Sequence, residues 1–594
     1  MGDTMARKVN SVEPDWQVAL DTLQKDLNLS DDAIGVFALQ LKFRLEDIEA
    51  VAAEAITGGG DDKKCDVIYV DKEQQIAVIA QCYRSKKSRN QAPANKASDL
   101  NAAVSWLLGA DVASLPVGLQ SRATELRDAI KDGQVKQLFI WYVHNLPESK
   151  QVAEELKTVE RTARSVLHGY ESGNEINVFA EEISAKHIEK FYVQAERVIF
   201  VTDTITADVP DAIEIAGSDW SSVVTSVSGK WLYKIFKQHG ANLFSANLRG
   251  YLGSRASDSN INHGIKQSAE NESENFWVYN NGLTAFVIDY ELGPRRKSGR
   301  RLKLVGISIV NGAQTTGSIG SLDEAPSDDL LIPVRFVKSN DEEIITNVVR
   351  FNNSQNKLQA ADFRSTDQIQ ERLRSEFEKI PDAEYEGGRR GGASDTIKRR
   401  KNLLPSYTVG QALAAFHGDP VNAYDKKSEI WVSEALYRRF FTERTTARHI
   451  VFCYSLLDAI NRTRLALLEK SKKKPESVTE IEKDQLDFLN RKGASYLLIY
   501  AISQSIETVY GKSVSNRFDL QFKDNIKPDV AAKRWLPIIE VFLSLHIQLE
   551  EAFSRNRISN ESVRKAVPKF VGVVASLRKL HQTTFNDFSK NLQV

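Results

Sequence analysis

The chain has little cysteine, no long apolar run and no net charge over its 594 residues. Its three cysteines, Cys65, Cys82 and Cys453, are odd in number and far apart, so neither a disulfide framework nor a zinc site is predicted. No two of the nine His residues stand four apart, as a pair of ligands on one helix face would. No window approaches the ~18 unbroken apolar residues of a membrane helix, and the first residues lack the apolar core of a signal peptide. We therefore expect a cytoplasmic protein with no membrane partner.

Basic and acidic residues balance at 79 each, which excludes a uniformly basic coat for nucleic acid. Positive charge is nevertheless concentrated in short blocks, which either pair with phosphates or form solvated loops. The blocks are Arg295-Arg296-Lys297, Arg300-Arg301, Arg389-Arg390, Lys398-Arg399-Arg400-Lys401 and Lys472-Lys473-Lys474.

The length predicts several domains, because a single hydrophobic core does not extend over so many residues. Strands alternating with helices predict an α/β layer over residues 1–205, including a β-hairpin from Cys65 to Val70 and Gln75 to Tyr83. Residues 203–218, with Pro210 and Gly217, read as a linker. Residues 219–425 read as a mixed α/β unit, and residues 426–594 are rich in helix formers. The fold class expected is therefore multidomain, α/β and α+β, with a helical C-terminal region.

Two apolar runs in the central unit each lead into Asn-Gly, at Asn281-Gly282 and at Asn311-Gly312. Such a run predicts a strand that ends at a turn with positive φ. The amides and hydroxyls around these turns either contact a ligand such as a base edge or satisfy their own turn backbones. The candidate side chains are those of Asn280, Asn281, Asn311, Gln314 and Thr315.

Other residues of the central unit and its flanks are candidates for nucleic-acid contacts. Arg249 precedes a glycine and either meets a phosphate or pairs with a carboxylate. Asn353 lies in a run that alternates amides with cations, and Lys398, Arg399 and Arg400 form a basic block. The neighbouring aromatic residues Phe276, Trp277 and Tyr279 are predicted to lie in the core rather than to stack on bases.

The N-terminal hairpin has the pattern of a Mg²⁺- or Mn²⁺-dependent phosphodiesterase. Asp66 begins one strand and Gln81 lies near the end of the next, so their oxygens could hold the metal. A Lys two residues after the second ligand would stabilise the developing charge, but Tyr83 occupies that position, and a phenol does not replace an ammonium group. Lys86 and Lys87, just past the strand, are the substitutes expected. The alternative is a hairpin with an ordinary turn carboxylate and a buried Gln.

Four motifs follow one another in the central part of the chain: Asn247-Leu248-Arg249-Gly250-Tyr251-Leu252, Asn275-Phe276-Trp277-Val278-Tyr279-Asn280-Asn281-Gly282, Ile309-Val310-Asn311-Gly312-Ala313-Gln314-Thr315-Thr316, and Arg350-Phe351-Asn352-Asn353-Ser354-Gln355-Asn356-Lys357 with Asp362-Phe363-Arg364. In their order and spacing over roughly residues 220–420, these motifs resemble the AIPR (abortive infection phage resistance) family of bacterial proteins.

The resemblance implies a restriction-endonuclease-like layer of the PD-(D/E)xK class at the N-terminus. Gly58-Gly59-Gly60, Asp62, Asp66 and Gln81 fit that layout, whereas Tyr83 departs from it. Asp66, Gln81 and Asp62 would then hold the metal. Members of this class often carry a Glu on the preceding helix, for which Glu46 and Glu49 are the candidates.

The function implied is defence against phage by acting on DNA or RNA. Three forms remain open: a metal-dependent nuclease, a non-catalytic sensor or adaptor in which the nuclease fold is degenerate, or a structural assembly protein whose C-terminal helices make a dimer. A phage trigger, a neighbouring defence protein and a second copy of the chain are the expected protein partners.

Overall fold

The computed structural model describes most of the chain between residue 15 and residue 594. The described ranges are residues 15–57 without 44 and 46, 62–196 without 73 and 88, 201–244, 265–269, 272–339 without 298, 323 and 328, then 341, 344, 345, 348 and 364, 367–385, 387, and 403–594 without 555 and 556. The candidates Gly58, Gly59, Gly60, Glu46, Arg249, Asn353, Lys398, Arg399 and Arg400 lie outside these ranges.

The chain forms two compact units, and their residue ranges differ from those of the three domains predicted from the sequence. Residues 1–192, 364–388 and 401–594 make the first unit, and residues 193–363 and 389–400 make the second. The first unit therefore joins the N-terminal sheet with the C-terminal helices. The three ranges 1–205, 219–425 and 426–594 stay a prediction about domains.

A four-stranded sheet organises the N-terminal part of the first unit, in the order β1-β2-β3-β4. Strands β1 and β2 are antiparallel, whereas β2, β3 and β4 run parallel. This part contains α1 Asp15–Asp26, α2 Ala33–Phe43, α3 Ile48–Ala55, β1 Val67–Asp71, β2 Ile76–Tyr83, α4 Ala94–Val104, α5 Val117–Lys131, β3 Gln137–His144, α6 Lys150–Leu167, β4 Asn177–Ile183 and α7 Ala185–Glu196. The predicted hairpin is confirmed as β1 and β2.

Helices cover both faces of this sheet, which is why β3 reads as an unbroken apolar run. On one face Phe43 of α2 stacks on Trp141 with ring centroids 5.6 Å apart. On the other face Ile79, Ile140 and residues of α4, α5 and α6 form one buried cluster. The layer is thus closed on both sides, and functional side chains must lie at strand ends.

The second unit is built on a seven-stranded sheet in the order β5-β10-β8-β11-β7-β6, with β9 paired to β10. Strands β8 and β11 are parallel and the other pairs are antiparallel. Its elements are β5 Val201–Val209, β6 Ala212–Ala216, β7 Trp220–Ser228, α8 Gly229–His239, the short helix Phe276–Tyr279, β8 Leu283–Phe286, β9 Asp289–Leu292, β10 Arg300–Asn311, the helix Ala313–Gly320 and β11 Leu331–Ser339.

The linker expected at residues 203–218 is wrong, because β5 and β6 occupy most of it. Ile205, Ala207 and Val209 alternate with polar residues and are buried, as the period of a half-buried strand requires. Pro210 falls in the connection between the two strands. The turn residues therefore mark a tight connection within a sheet and not a boundary between domains.

Helices make up nearly all of the remaining described chain, as the sequence predicted. They are Gln368–Phe377, Ser406–Phe416, Pro420–Asp425, Glu429–Val432, Glu434–Phe440, Ala447–Lys473, Glu480–Asn490, Ala494–Gln504, Ile506–Tyr510, Pro528–Leu543, Asn560–Ser576 and Gln582–Ser589. The 27-residue helix Ala447–Lys473, called here the long helix, lies buried along much of its length. Within the described ranges, no helix is both long and apolar enough to cross a membrane.

Candidate acidic site at the N-terminal sheet

Asp66 lies at the start of the hairpin, one residue before β1. Its carboxylate Oδ2 accepts a hydrogen bond from the backbone N–H of Cys82 at 2.7 Å, which ties it to the end of β2. Burial, and then the negative charge of Asp32, raise the pKa of Asp66 to about 7 against the opposing hydrogen bond from Cys82. The charge of Asp62 raises it further. A nearby cation would therefore stabilise the ionised form of Asp66.

Such a cation comes from the C-terminal region. Lys472, in the last turn of the long helix, forms an ion pair with Asp32, which lies directly before α2. The Lys472 and Asp32 side chains are only 17% and 9% exposed. Although burial opposes it, the charge of Asp32 and then that of Asp66 give Lys472 a raised pKa, so the ammonium form is favoured. The site thus contains a partly buried lysine that no residue of the hairpin provides.

Gln81 adds an unsatisfied oxygen to β2. The residue is 4% exposed, and within the part of the chain that the structure describes its Oε1 has no hydrogen-bond partner. A buried polar atom without a partner costs about 1–3 kcal/mol, so such atoms mark positions that a ligand or ion can satisfy. Amide and carboxylate oxygens are the ligands that Mg²⁺ and Mn²⁺ prefer.

Tyr83 does not take the place of a lysine. It packs against the buried cluster of α4, α5 and α6, opposite His144 of β3. Lys86 and Lys87, expected to substitute for it, are both exposed. Lys472 is the lysine that the structure brings to the acidic residues, and it comes from outside the predicted nuclease region.

A His–Glu pair lies at the ends of the neighbouring strands. His144 Nε2 and Glu182 Oε1 are 3.0 Å apart, and His144 Nδ1 accepts the Leu146 N–H, so Nε2 is the nitrogen that donates to Glu182. The His144 ring contacts Tyr142, which lies opposite Gln81 and whose hydroxyl also has no partner in the described chain. Sequence reasoning missed this pair and also Asp32 and Lys472.

Glu49 and Asp62, the other carboxylates expected from the family layout, have hydrogen-bond partners of their own. Glu49, on α3, accepts from Arg462 of the long helix at 3.1 Å. Asp62 accepts from the backbone N–H of Lys64 at 2.9 Å and acts on Asp66 through its charge. Asp32, and not Glu49, is the helix-associated carboxylate whose charge raises the pKa of Asp66.

In the second unit the Asn-Gly turns are packed on each other. Asn280 Nδ2 donates to Thr315 Oγ1 at 3.0 Å, and the Thr315 hydroxyl lies 3.2 Å from Asn280 Oδ1. Asn280 Oδ1 also accepts from the backbone N–H of Gly282 at 2.9 Å. The two turns thus share a hydrogen-bonded contact that fixes their geometry.

The positive φ predicted at both turns is confirmed, at +76° for Gly282 and +93° for Gly312. A Cβ on Gly282 would lie 2.5 Å from the carbonyl oxygen of Pro333, so only glycine fits there. The strand predicted before Asn280 is wrong, because Phe276–Tyr279 is a short helix. Asn311 ends β10, opposite Thr284.

The aromatic residues of that helix do not share one environment. Phe276 is 1% exposed and lies in the core, as predicted. Trp277 and Tyr279 are 50% and 60% exposed, so the core prediction is wrong for them. Of the other candidates, Asn281 is exposed and Gln314 is partly buried.

In the basic block Lys472-Lys473-Lys474, expected to pair with phosphates or to be solvated, Lys472 pairs with a carboxylate, whereas Lys473 and Lys474 are exposed. Lys473 lies 3.1 Å from Glu469, whose Oε1 accepts from both the backbone N–H and the hydroxyl of Ser30. With the Lys472–Asp32 pair, these contacts join the end of the long helix to the start of α2.

Comparison with known proteins gives a family and no individual relative. The family described as AIPR protein matches residues 244–560. No curated protein and no solved structure matches the chain. The match covers more than half of the 594 residues, so the chain belongs to the AIPR family, and membership implies an abortive-infection phage-resistance protein.

Proposed function

We propose that this protein limits phage propagation by hydrolysing phosphodiester bonds in nucleic acid with a divalent metal ion, at a site centred on Asp66 to which Gln81 and Lys472 would contribute. The observation that carries the proposal is the partly buried Lys472, which is paired with Asp32 and whose charge acts on Asp66. It supplies the positive charge that the hairpin itself lacks.

The oxygen atoms of these side chains are of the type that a hard cation prefers. Asp66 would hold Mg²⁺ or Mn²⁺ together with Gln81, whose Oε1 has no partner in the described chain, and Asp62 would assist. When bound, the ion would polarise a phosphoryl oxygen and lower the pKa of a water molecule. Lys472, held in place by Asp32, would stabilise negative charge on the phosphate, and the hydrogen bond from Cys82 would fix the orientation of the Asp66 carboxylate.

The test uses the full-length protein with plasmid DNA and with total RNA, in Mg²⁺, in Mn²⁺ and in EDTA. Metal-dependent cleavage is expected from the wild type, and Asp66→Asn should lower the rate by about 100-fold or more, because it removes a charged ligand of the ion. The exposed Asp132 provides a matched control, Asp132→Asn, which should cleave like the wild type. An Asp66→Asn protein that cleaves at the wild-type rate would contradict the assignment.

A second candidate is favoured by Tyr83, which packs into the core where an active site of this class would present a lysine. The protein would then be a non-catalytic sensor or adaptor that binds nucleic acid or a phage component. It would show stoichiometric binding that weakens steeply with salt and no turnover in either metal. Gel shifts at two salt concentrations beside the cleavage assay distinguish the two functions.

A further inference from the structure

Two histidines and a cysteine converge inside the helical part of the first unit. The nearest ligand atoms of His417, His449 and Cys453 all lie within 4.8 Å of one another. His417 directly follows the helix Ser406–Phe416, whereas His449 and Cys453 stand four residues apart near the start of the long helix. They therefore lie on one face of that helix.

The hydrogen bonds of His449 fix which of its nitrogens is available. Its Nδ1 lies 2.7 Å from the carbonyl oxygen of Leu520, which can only accept, so Nδ1 carries a proton. In a neutral imidazole with its proton on Nδ1, the other ring nitrogen is an acceptor. Its Nε2 therefore has a single in-plane lone pair and no proton.

Two donors are directed at this one lone pair. His417 Nε2 lies 2.9 Å from His449 Nε2, and Cys453 Sγ lies 3.5 Å from the same atom. No other hydrogen-bond partner of the thiol occurs among the residues that the structure describes. One lone pair does not satisfy two converging donors well, whereas a cation that replaces both protons does.

We propose that His417, His449 and Cys453 form a buried binding site for a late first-row transition metal ion, Zn²⁺ in the first place. Two imidazoles and a thiolate are ligands that suit Zn²⁺ and Cu(I) and do not suit Mg²⁺. The bond from His449 Nδ1–H to the Leu520 carbonyl is the support that metal-bound histidines commonly have.

The geometry is close to that of a bound zinc ion. Zn–N bonds of about 2.0–2.1 Å and Zn–S bonds of about 2.3 Å at tetrahedral angles place the ligand atoms about 3.3–3.6 Å apart. Two of the three separations, 2.9 and 3.5 Å, differ from these by about half an ångström or less, and the third, between His417 and Cys453, is within 4.8 Å. Binding therefore requires the His417 and Cys453 side chains to approach each other by up to about 1 Å.

Binding exchanges protons for the metal in a balanced way. The Cys453 thiol loses its proton to solvent as the sulfur–metal bond forms, and His417 takes the tautomer with its proton on Nδ1. The metal would join the end of the helix Ser406–Phe416 to the long helix and so stabilise the helical region.

The first test is the metal content of the purified full-length protein, measured by elemental mass spectrometry. About one Zn²⁺ per chain is expected, falling at least about tenfold in His417→Gln and in Cys453→Ser, since each removes one of three ligands. The buried His546 and Cys65 provide matched controls, His546→Gln and Cys65→Ser, which should keep the metal. Copper in place of zinc, lost in the same variants, would also support a soft-metal site.

A second measurement uses only the wild-type protein, so its result does not depend on whether a variant folds. Wild-type protein stripped with a chelator is titrated with Co²⁺, and a thiolate-to-cobalt absorption band that saturates at one equivalent is expected. Absence of this band, or wild-type protein with less than about a tenth of an equivalent of zinc and copper together, would overturn the proposal. Asp66→Asn should keep the zinc, so failure of this site and failure of the nuclease assignment are separate outcomes.

Discussion

The acidic site of the N-terminal sheet and the Asn-Gly turns of the second unit satisfy their polar groups in opposite ways. At the turns, Asn280 uses its side chain on Thr315 and on its own backbone at Gly282. At the sheet, Gln81 Oε1 has no partner within the described ranges, and the pKa of Asp66 is raised to about 7. The polar residues of the turns, which are the denser group in the sequence, are explained by the hydrogen bonds that they make to each other and to the turn backbone. Gln81 and Asp66, which are fewer, keep polar atoms that a ligand could bind.

This difference has an energetic meaning. A buried carboxyl with a raised pKa and a buried amide oxygen without a partner both reduce the stability of the folded chain. Proteins retain such costs where a ligand offsets them. The contrast is therefore open to experiment, because a binding site should respond to pH, to metal and to loss of its counter-charge, and a structural turn should not.

The largest effect is expected from Lys472→Met. It leaves Asp32 buried without its cation, and breaking a buried ion pair in this way costs about 3 kcal/mol. Urea unfolding followed by tryptophan fluorescence measures it. Lys483→Met is the matched control, because Lys483 and its partner Glu480 are 52% and 83% exposed and their pair should contribute less than about 0.5 kcal/mol. Equal effects of the two substitutions would remove the distinction between a buried pair and a surface pair.

A smaller effect, with a definite sign, is expected from Asp66→Asn. The folded pKa of about 7 lies above the unfolded value of about 3.9, so between them the folded chain binds more protons than the unfolded chain. By linkage, this carboxyl makes the wild type less stable as pH rises through that window. At pH 8 without metal, the variant should therefore be more stable than the wild type by about 1–2 kcal/mol, after allowance for solvent screening.

Unfolding midpoints measured between pH 4 and pH 8 test this sign. The advantage of Asp66→Asn should shrink as the pH falls towards 4, where both side chains are neutral in the folded state. Added Mg²⁺ should stabilise the wild type and leave the variant almost unchanged. A difference in stability that did not vary with pH would show that Asp66 carries an ordinary pKa.

The sequence predicts local structure well and long-range contacts poorly. The hairpin Val67–Asp71 with Ile76–Tyr83 and the C-terminal helices follow from period and length. The prediction of a linker at residues 203–218 is wrong because it gives Pro210 and Gly217 more weight than the alternation of apolar and polar residues in β5. The short helix before Asn280 was wrongly read as a strand because aromatic residues favour strands only as a weak preference.

The candidate site residues show the same difference between local and long-range features. The sequence indicates Asp66 and Gln81 as candidates because they lie in one hairpin, whereas Asp32 and Lys472 are 440 residues apart and no spacing rule connects them. The four-residue spacing of His449 and Cys453 is present in the sequence, but one His and one Cys at that spacing do not by themselves indicate a metal site. His417 joins them only through helix packing. A single sequence therefore indicates candidate residues within an element and not their partners across the core.

The smallest effect expected concerns the turns. Asn280→Ala and Thr315→Val should each lower stability by about 1 kcal/mol, and their double-mutant cycle should show a coupling of about 0.5–1 kcal/mol, since they share hydrogen bonds of 3.0 and 3.2 Å. Asn281→Ala with Thr315→Val is the matched pair that should be additive, because Asn281 is exposed. If these amides only lock the turns, nucleic-acid affinity will follow the folded fraction. Loss of affinity in Asn280→Ala at unchanged stability would instead make the turns a binding site and would reverse the contrast with the sheet.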